Sequence, residues 1–333
     1  MNKQQIGLAA LAATVAVGMA PGLGWGMTAP PVLRYSGLCD ASAAVFVAPS
    51  RFVVANDEDN TLRIYQTGTP EPQPGALDLE PFLGIQGDKR EADLKGATRI
   101  GGRIYWIGSH GASAKGKGRP NRHRLFATDL TPGPAGVELR PVGEPFRDLV
   151  PALAAVAFEG FDPVAAGREA PESPGGLNVE GLTRTPDGRL LIGLRNPIPH
   201  GMAILVPLDN PAGLVEGREP PALGPPVPLD LGGLGVRSIE YSEARGEYLV
   251  VAGAFDDSGR FALYRWSGRP ANRPVEIPGI DLHGLRPEAL AVALEGRGFL
   301  LLSDDGSVPV GGTPCKDLAE PNVRGFRATT LDP

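Results

Sequence analysis

NVEGLTRTPDGRLLIGLRNPI, residues 178–198, holds two short strand-like runs on either side of a Pro-Asp-Gly turn. The first run, Leu182 to Thr185, alternates apolar and polar side chains, and the second, Leu190 to Leu194, is almost wholly apolar. Pro186 and Asp187 favour the turn and Gly188 supplies its positive φ, so the two runs fold back on each other as an antiparallel hairpin.

The same pattern returns in SAAVFVAPSRFVVANDEDN from Ser42, KGATRIGGRIYWIGSHG from Lys95, RSIEYSEARGEYLVVAGAFDD from Arg237 and PEALAVALEGRGFLLLSDDG from Pro287. Several copies continue into a third strand: Leu62 to Tyr65, His123 to Ala127, Met202 to Val206 and Phe261 to Trp266. A three- or four-stranded unit recurring about every 50 residues cannot bury its faces alone and stacks radially. The expected fold class is therefore all-β, a single β-propeller of five or six blades. One interval is too long, Lys95 to Glu180, and inside it Leu149, Leu153, Val156 and Ala157 follow helical spacing. This predicts a short helical insertion near 144–176 over one mouth of the propeller, with a degenerate extra blade as the other reading.

The composition fits such a fold, since 46 Gly and 35 Pro in 333 residues supply many turns. A net charge of −6 gives no bias toward nucleic acid or anionic membranes, so no partner of either kind is expected. Residues 1–29 place Lys3 before an apolar stretch from Ile6 to Ala20, then small residues and Pro. That pattern reads as a secretory signal peptide, too short in its apolar part for a membrane-spanning helix. The expectation is a periplasmic or secreted monomer, free of the membrane after cleavage, with the propeller domain over 34–333. In an oxidising compartment Cys39 and Cys315, near opposite ends of that domain, are a plausible disulfide, because first and last blades are neighbours. Two unrelated buried thiols is the alternative.

Innermost strands line a propeller's channel, so residues at their entrance converge on one axis. In the aligned units that position holds Ser42, Lys95, Glu180, Arg237 and Glu288. Buried charges of mixed sign are costly unless they pair or meet a ligand. The strand that follows ends in polar clusters, among them Asn56, Asp57 and Glu58, then Ser109 and His110, then Arg195 and Asn196. Carboxylates with added amide and carbonyl oxygens suit a hard cation such as Ca²⁺, and the expected metal ligands are Glu180, Glu288 and Asp57. Lys95, Arg195 and Arg237 are the candidate substrate-binding residues, complementary to a phosphate or carboxylate. A Gly-rich loop between Ser109 and Phe126 adds Lys115, Lys117, Arg119, Arg122 and Arg124. His110 is the candidate catalytic base, its ordinary pKa suiting neutral pH. Clustered Cys or His, a Gly-x-Ser-x-Gly elbow and phosphate- or dinucleotide-binding Gly motifs are all missing from the sequence.

The linked motifs DLKGATRIGGRIYWIGSHG, RPNRHRLF, GLNVEGLTRTPDGRLLIGLRNP, SIEY and RPEALAV resemble the bacterial family known as domain of unknown function 3616. The resemblance covers nearly all of the mature chain and implies a propeller-like fold with no established activity. More distantly, VEGLT is similar to a phrase in esterase-like phytase and other calcium-dependent phosphoesterase or lactonase propellers. That likeness would make Glu180 a metal or channel ligand, with Glu288 of PEAL as its counterpart. Lys95 and Arg237 depart from it, placing bases where that pattern has carboxylates.

Two functions follow as expectations. In one, the protein is a metal-assisted hydrolase or binding protein for an anionic small molecule, a phosphoester or lactone. In the other, it is a non-catalytic propeller for a protein or polysaccharide partner, whose alternating Lys95, Glu180, Arg237 and Glu288 neutralise one another as an internal salt-bridge ring.

Overall fold

A computed structural model describes residues 31–133, 136–256, 260–280, 282, 284–295 and 298–332; the expected signal peptide, 1–29, lies outside them. The chain forms five four-stranded antiparallel sheets arranged as the blades of a β-propeller, which fixes the blade number at five. Blade 1 runs outward through Ala41–Ala48, Arg51–Asn56, Thr61–Gln66 and Thr69–Asp78. Blade 2 comprises Leu94–Ile100, Arg103–Gly108, Leu125–Thr131 and Glu138–Phe146, and blade 3 Asn178–Arg184, Leu190–Asn196, Ala203–Leu208 and Val227–Leu229. Blade 4 comprises Gly235–Ser242, Glu247–Gly253, Phe261–Trp266 and Val275–Glu276. Blade 5 takes its inner three strands, Pro287–Val292, Phe299–Ser303 and Gly325–Leu331, from the end of the chain and its outermost, Val32–Ser36, from the beginning.

Ring closure is thus made by pairing the first strand with the last, Val32 opposite Thr329 through Ser36 opposite Gly325. An aromatic cluster seals the seam between blades 5 and 1. Tyr35 lies 5.3 Å from the rings of both Phe52 and Phe326, and Tyr65 lies 5.4 Å from Phe326. Cys39 and Cys315 form a disulfide across the same seam, with Cα atoms 5.9 Å apart and 276 residues between them. Constraining so long a loop in the unfolded chain contributes about 4 to 5 kcal/mol.

The second strand of each blade is a largely apolar run because both faces are covered by neighbouring blades. Between blades 2 and 3 the core includes Ile107, Leu125, Val179, Ile192 and Val206. Each fully buried side chain of this kind contributes roughly 1.5–3 kcal/mol. The insertion between these blades, 147–177, carries two short helices, Leu149–Ala154 and Pro163–Ala166. Leu149, Val150 and Leu153 bury their side chains in the same core, so the helical spacing marks the face that holds the insertion down. Asp162 caps the second helix by accepting from the Val164 and Ala165 N–H groups.

Each inner strand contains one β-bulge near its start, and the extra residue is in turn Ser42, Lys95, Glu180, Arg237 and Glu288. A bulge leaves one residue out of the ladder and re-aims its side chain, here toward the channel. The next residue is small in every blade: Ala43, Gly96, Gly181, Ser238 and Ala289. The inner strands approach closely there, and a Cβ on Gly96 would stand 2.8 Å from that of Leu182.

Candidate functional site

The bulged residues form one layer of charge across the channel. Lys95 Nζ lies 3.2 Å from Glu288 Oε1, the other oxygen of Glu288 pairs with Arg237, and Arg237 Nε lies 3.6 Å from Glu180 Oε2. Arg195, at the end of the second strand of blade 3, donates to Glu180 Oε1 at 2.9 Å, and Asn178 Nδ2 donates to that oxygen as well. Lys95 and Glu288 belong to blades 2 and 5, with blade 1 between them. Ser42 occupies the intervening position, is short, and turns its hydroxyl to the Ala55 carbonyl at 3.3 Å, which lets the lysine cross. Arg237 also stacks over Phe261, 5.3 Å from the ring centroid. Burial alone would raise the Glu288 carboxyl, but Arg237 and Lys95 together hold it down, at about 2.

Three residues further along the inner strands a second layer contains Val45, Thr98, Thr183, Glu240 and Ala291. Glu240 is buried with no ion-pair partner among the described residues. Thr183 Oγ1 lies 3.4 Å and Thr98 Oγ1 3.5 Å from its Oε2. Both hydroxyls accept a backbone N–H, that of Tyr241 for Thr183 and that of Arg184 for Thr98, which leaves their hydrogens for Glu240. Burial pushes the Glu240 carboxyl well above the usual range, with Arg184 opposing only in part.

Above the charged layer a cleft of about 580 Å³ opens at the mouth where the insertion lies. Lys95, Arg195 and Glu180 form its floor, Asp57, Asp93 and Arg122 one wall, and Ala170–Ser173 of the insertion another, with Lys316 also lining it. Arg122 comes from the basic loop and pairs with Glu91 at 3.0 Å and Asp93 at 3.1 Å. Lys115 and Lys117 of the same loop are exposed, whereas Arg124 is buried and donates to the carbonyls of Leu83, Pro120 and His123. Four side chains lining the cleft each keep one buried atom without a hydrogen bond: Asp57 Oδ1, Arg122 Nε, Asn178 Oδ1 and Glu180 Oε2.

At the rim, Asp40, Asp57 and Glu58 bring one carboxylate oxygen each to within 4.8 Å of the others. Burial raises the Asp40 carboxyl to about 8, with the charges of Asp57, Asp304 and Glu58 adding to it. Asp57 is raised to about 7 by burial, although Lys95 at 2.7 Å works against the shift.

The structure gathers the three expected substrate-binding residues, but Lys95, Arg195 and Arg237 are engaged by Glu180, Glu288 and Asp57. The expected metal ligands are not assembled as a set, because Glu180 and Glu288 are held by arginines. Among the described residues the carboxylate group with metal-ligand spacing is Asp40, Asp57 and Glu58, of which only Asp57 was expected. His110 is corrected more sharply. Its ring is fully buried behind the cleft, Nδ1 lies 2.8 Å from the Gly108 carbonyl, and burial with His123 and Arg124 nearby lowers its pKa to about 3. A ring so enclosed does not line the cleft that was expected to use it.

Asp40, Asp93 and Asn178 escaped sequence reasoning, yet each stands two residues before a channel residue, so reading the repeat two positions earlier finds all three. Lys316 and Asp40 each follow a cysteine of the disulfide, and that bond brings both to the rim.

Five blades around a charged channel define a β-propeller. Residues 164–281 match the family model described as "Protein of unknown function (DUF3616)", which bears out the resemblance over that stretch. Similar solved structures include the PQQ-bound aldose sugar dehydrogenase of Streptomyces coelicolor, at 13% identity and a TM-score of 0.44, covering 91% of this chain and 100% of that one. Glutaminyl cyclase of Myxococcus xanthus follows at 14% identity and a TM-score of 0.40, covering 90% and 96%. A mutant GH43 protein from Bacillus licheniformis has 12% identity and a TM-score of 0.46, covering 90% and 54%. No curated protein matches the chain by sequence. Among the described residues no helix is long and apolar enough to cross a membrane.

Proposed function

We propose that the protein is an exported propeller that binds a small, hydroxyl-bearing anionic molecule in the cleft at the insertion mouth. The observation that supports this reading is the concentration of unsatisfied buried polar atoms, two carboxylate oxygens, one amide oxygen and one guanidinium nitrogen, in side chains that line this one cleft. Buried polar groups are nearly always satisfied, and exceptions gathered in one place ask for a partner. Lys316, the least buried cation of the lining, supplies attraction for an anionic group, and the acceptors suit hydroxyl donors. The ring of Lys95, Glu288, Arg237, Glu180 and Arg195 serves as the rigid floor rather than as reacting groups, because its three cations are already engaged by Glu180, Glu288 and Asp57. Binding is favoured over phosphoester or lactone hydrolysis because the expected base, His110, is enclosed behind the cleft rather than lining it. The disulfide supports export to an oxidising compartment.

Thermal-shift titration against sugar phosphates, sugar acids, phosphoesters and lactones tests this. At a hundredfold excess over Kd, a ligand specific to the folded state adds about 2.7 kcal/mol. The expected outcome is a saturable shift by a hydroxylated anion, diminished in Lys316→Ala. Absence of any shift across the panel, or an equal shift in Lys316→Ala, would sink the reading.

A further inference from the structure

We propose that Asp40, Asp57 and Glu58 form a calcium site on the rim of the cleft. Their carboxylate oxygens lie within 4.8 Å of one another. Two oxygens bound to one calcium at roughly 2.3–2.6 Å can be no farther apart than twice that length, a limit these oxygens meet. An acidic cluster alone would not distinguish a site from a solvated surface, but two features of this one point to a cation. Asp40 is 5% exposed, and its carboxylate makes no hydrogen bond or ion pair among the described residues. Asp57 Oδ1 is fully buried and equally unpartnered, its other oxygen being taken by Lys95. A carboxylate withdrawn from water is retained at high cost unless a countercharge meets it.

The nearby lysines do not supply that charge. Lys95 is divided among Asp57, Asp93 and Glu288, and Lys316 meets only Oε1 of Glu58, leaving Oε2. The position of Asp40 is built rather than incidental. Its carboxylate lies against Gly306, where an added Cβ would stand 1.6 Å from Oδ1. Its backbone bridges Asp304, and the Asp305 N–H donates to the Cys39 carbonyl at 3.0 Å. The donors are all oxygens, the ligand set of a hard cation, and no nitrogen or sulfur donor belongs to the group.

The inference shares Asp57 with the ligand-binding reading, but Asp40 and Glu58 do not line the cleft and the probe is calcium alone, so each can fail without the other. Calorimetric titration of the oxidised, metal-stripped protein with calcium chloride is the test. The expected result is one ion per chain, with affinity reduced at least about tenfold in Asp40→Asn and in Glu58→Gln. Glu243→Gln, an exposed position at the other end of the channel, should bind as the wild type does. Glu58→Gln alters an exposed side chain and reports even if Asp40→Asn folds badly. No saturable calcium binding by the wild type, or binding unchanged in both variants, overturns the proposal.

Discussion

At the mouth of the channel Glu180 and Glu288 are buried against arginines, whereas three residues deeper Glu240 is buried beside two threonines. All three carboxylates leave innermost strands and all are buried, so the difference lies in what the neighbouring blades present. Arginines and a lysine reach the upper carboxylates, while the lower layer offers only hydroxyls and aliphatic groups to Glu240. The upper layer therefore holds paired charge, while burial in the lower layer pushes the Glu240 carboxyl toward its protonated form. A buried carboxylate is not one kind of object, and its partners decide which form the fold retains.

The largest effect should come from breaking the upper layer. Glu288→Ala leaves Lys95 and Arg237 without their shared partner and should lower the unfolding free energy by about 3–5 kcal/mol in urea denaturation. A loss below about 1 kcal/mol would mean that the layer is not a coupled network.

Acid should separate the layers next. The folded pKa of Glu288, about 2, lies below its ordinary value of 4.5. Its contribution is therefore present above pH 4.5 and lost as the pH falls toward 2, a change of about 3 kcal/mol. Glu240 runs the opposite way. Its folded pKa lies well above the ordinary 4.5, so its contribution is full below pH 4.5 and declines as the pH rises toward the folded value. Stability measured against pH in the wild type and in Glu240→Gln should show the same acid limb and a reduced alkaline decline in the variant.

The smallest effect should be Glu240→Gln at neutral pH, within about 1 kcal/mol, because an amide reproduces a neutral carboxyl that accepts from Thr98 and Thr183. A loss comparable to that of Glu288→Ala would show that Glu240 is ionised in the folded state and that the two layers are alike.

The upper layer was legible in the sequence because the bulge recurs at one place in every repeat, so aligning turns also aligned Ser42, Lys95, Glu180, Arg237 and Glu288. The helical insertion was legible from its apolar spacing, and the closure from the positions of two cysteines. What could not be read was reach. Lys95 meets Glu288 only because Ser42 is short and turned aside, a fact of three blades at once. His110 was misjudged for a related reason, since a histidine after an apolar strand gives no sign of whether its ring faces the cleft or the interior. The rim carboxylate Asp40 stood beside Cys39 and became visible only when the disulfide was followed one residue along the chain.

The outermost strand of blade 5, Val32–Ser36, precedes the rest of the propeller in the chain, while its partner, Gly325–Leu331, stands almost at the end. During synthesis this strand emerges early and has nothing to pair with until nearly every other residue has been added. Tyr35 must meanwhile wait without Phe326, and Cys39 without Cys315. Closure of the ring is therefore a checkpoint on completeness, since a chain stopped before Gly325 holds the strands of four blades but can neither pair its first strand nor seal its aromatic seam.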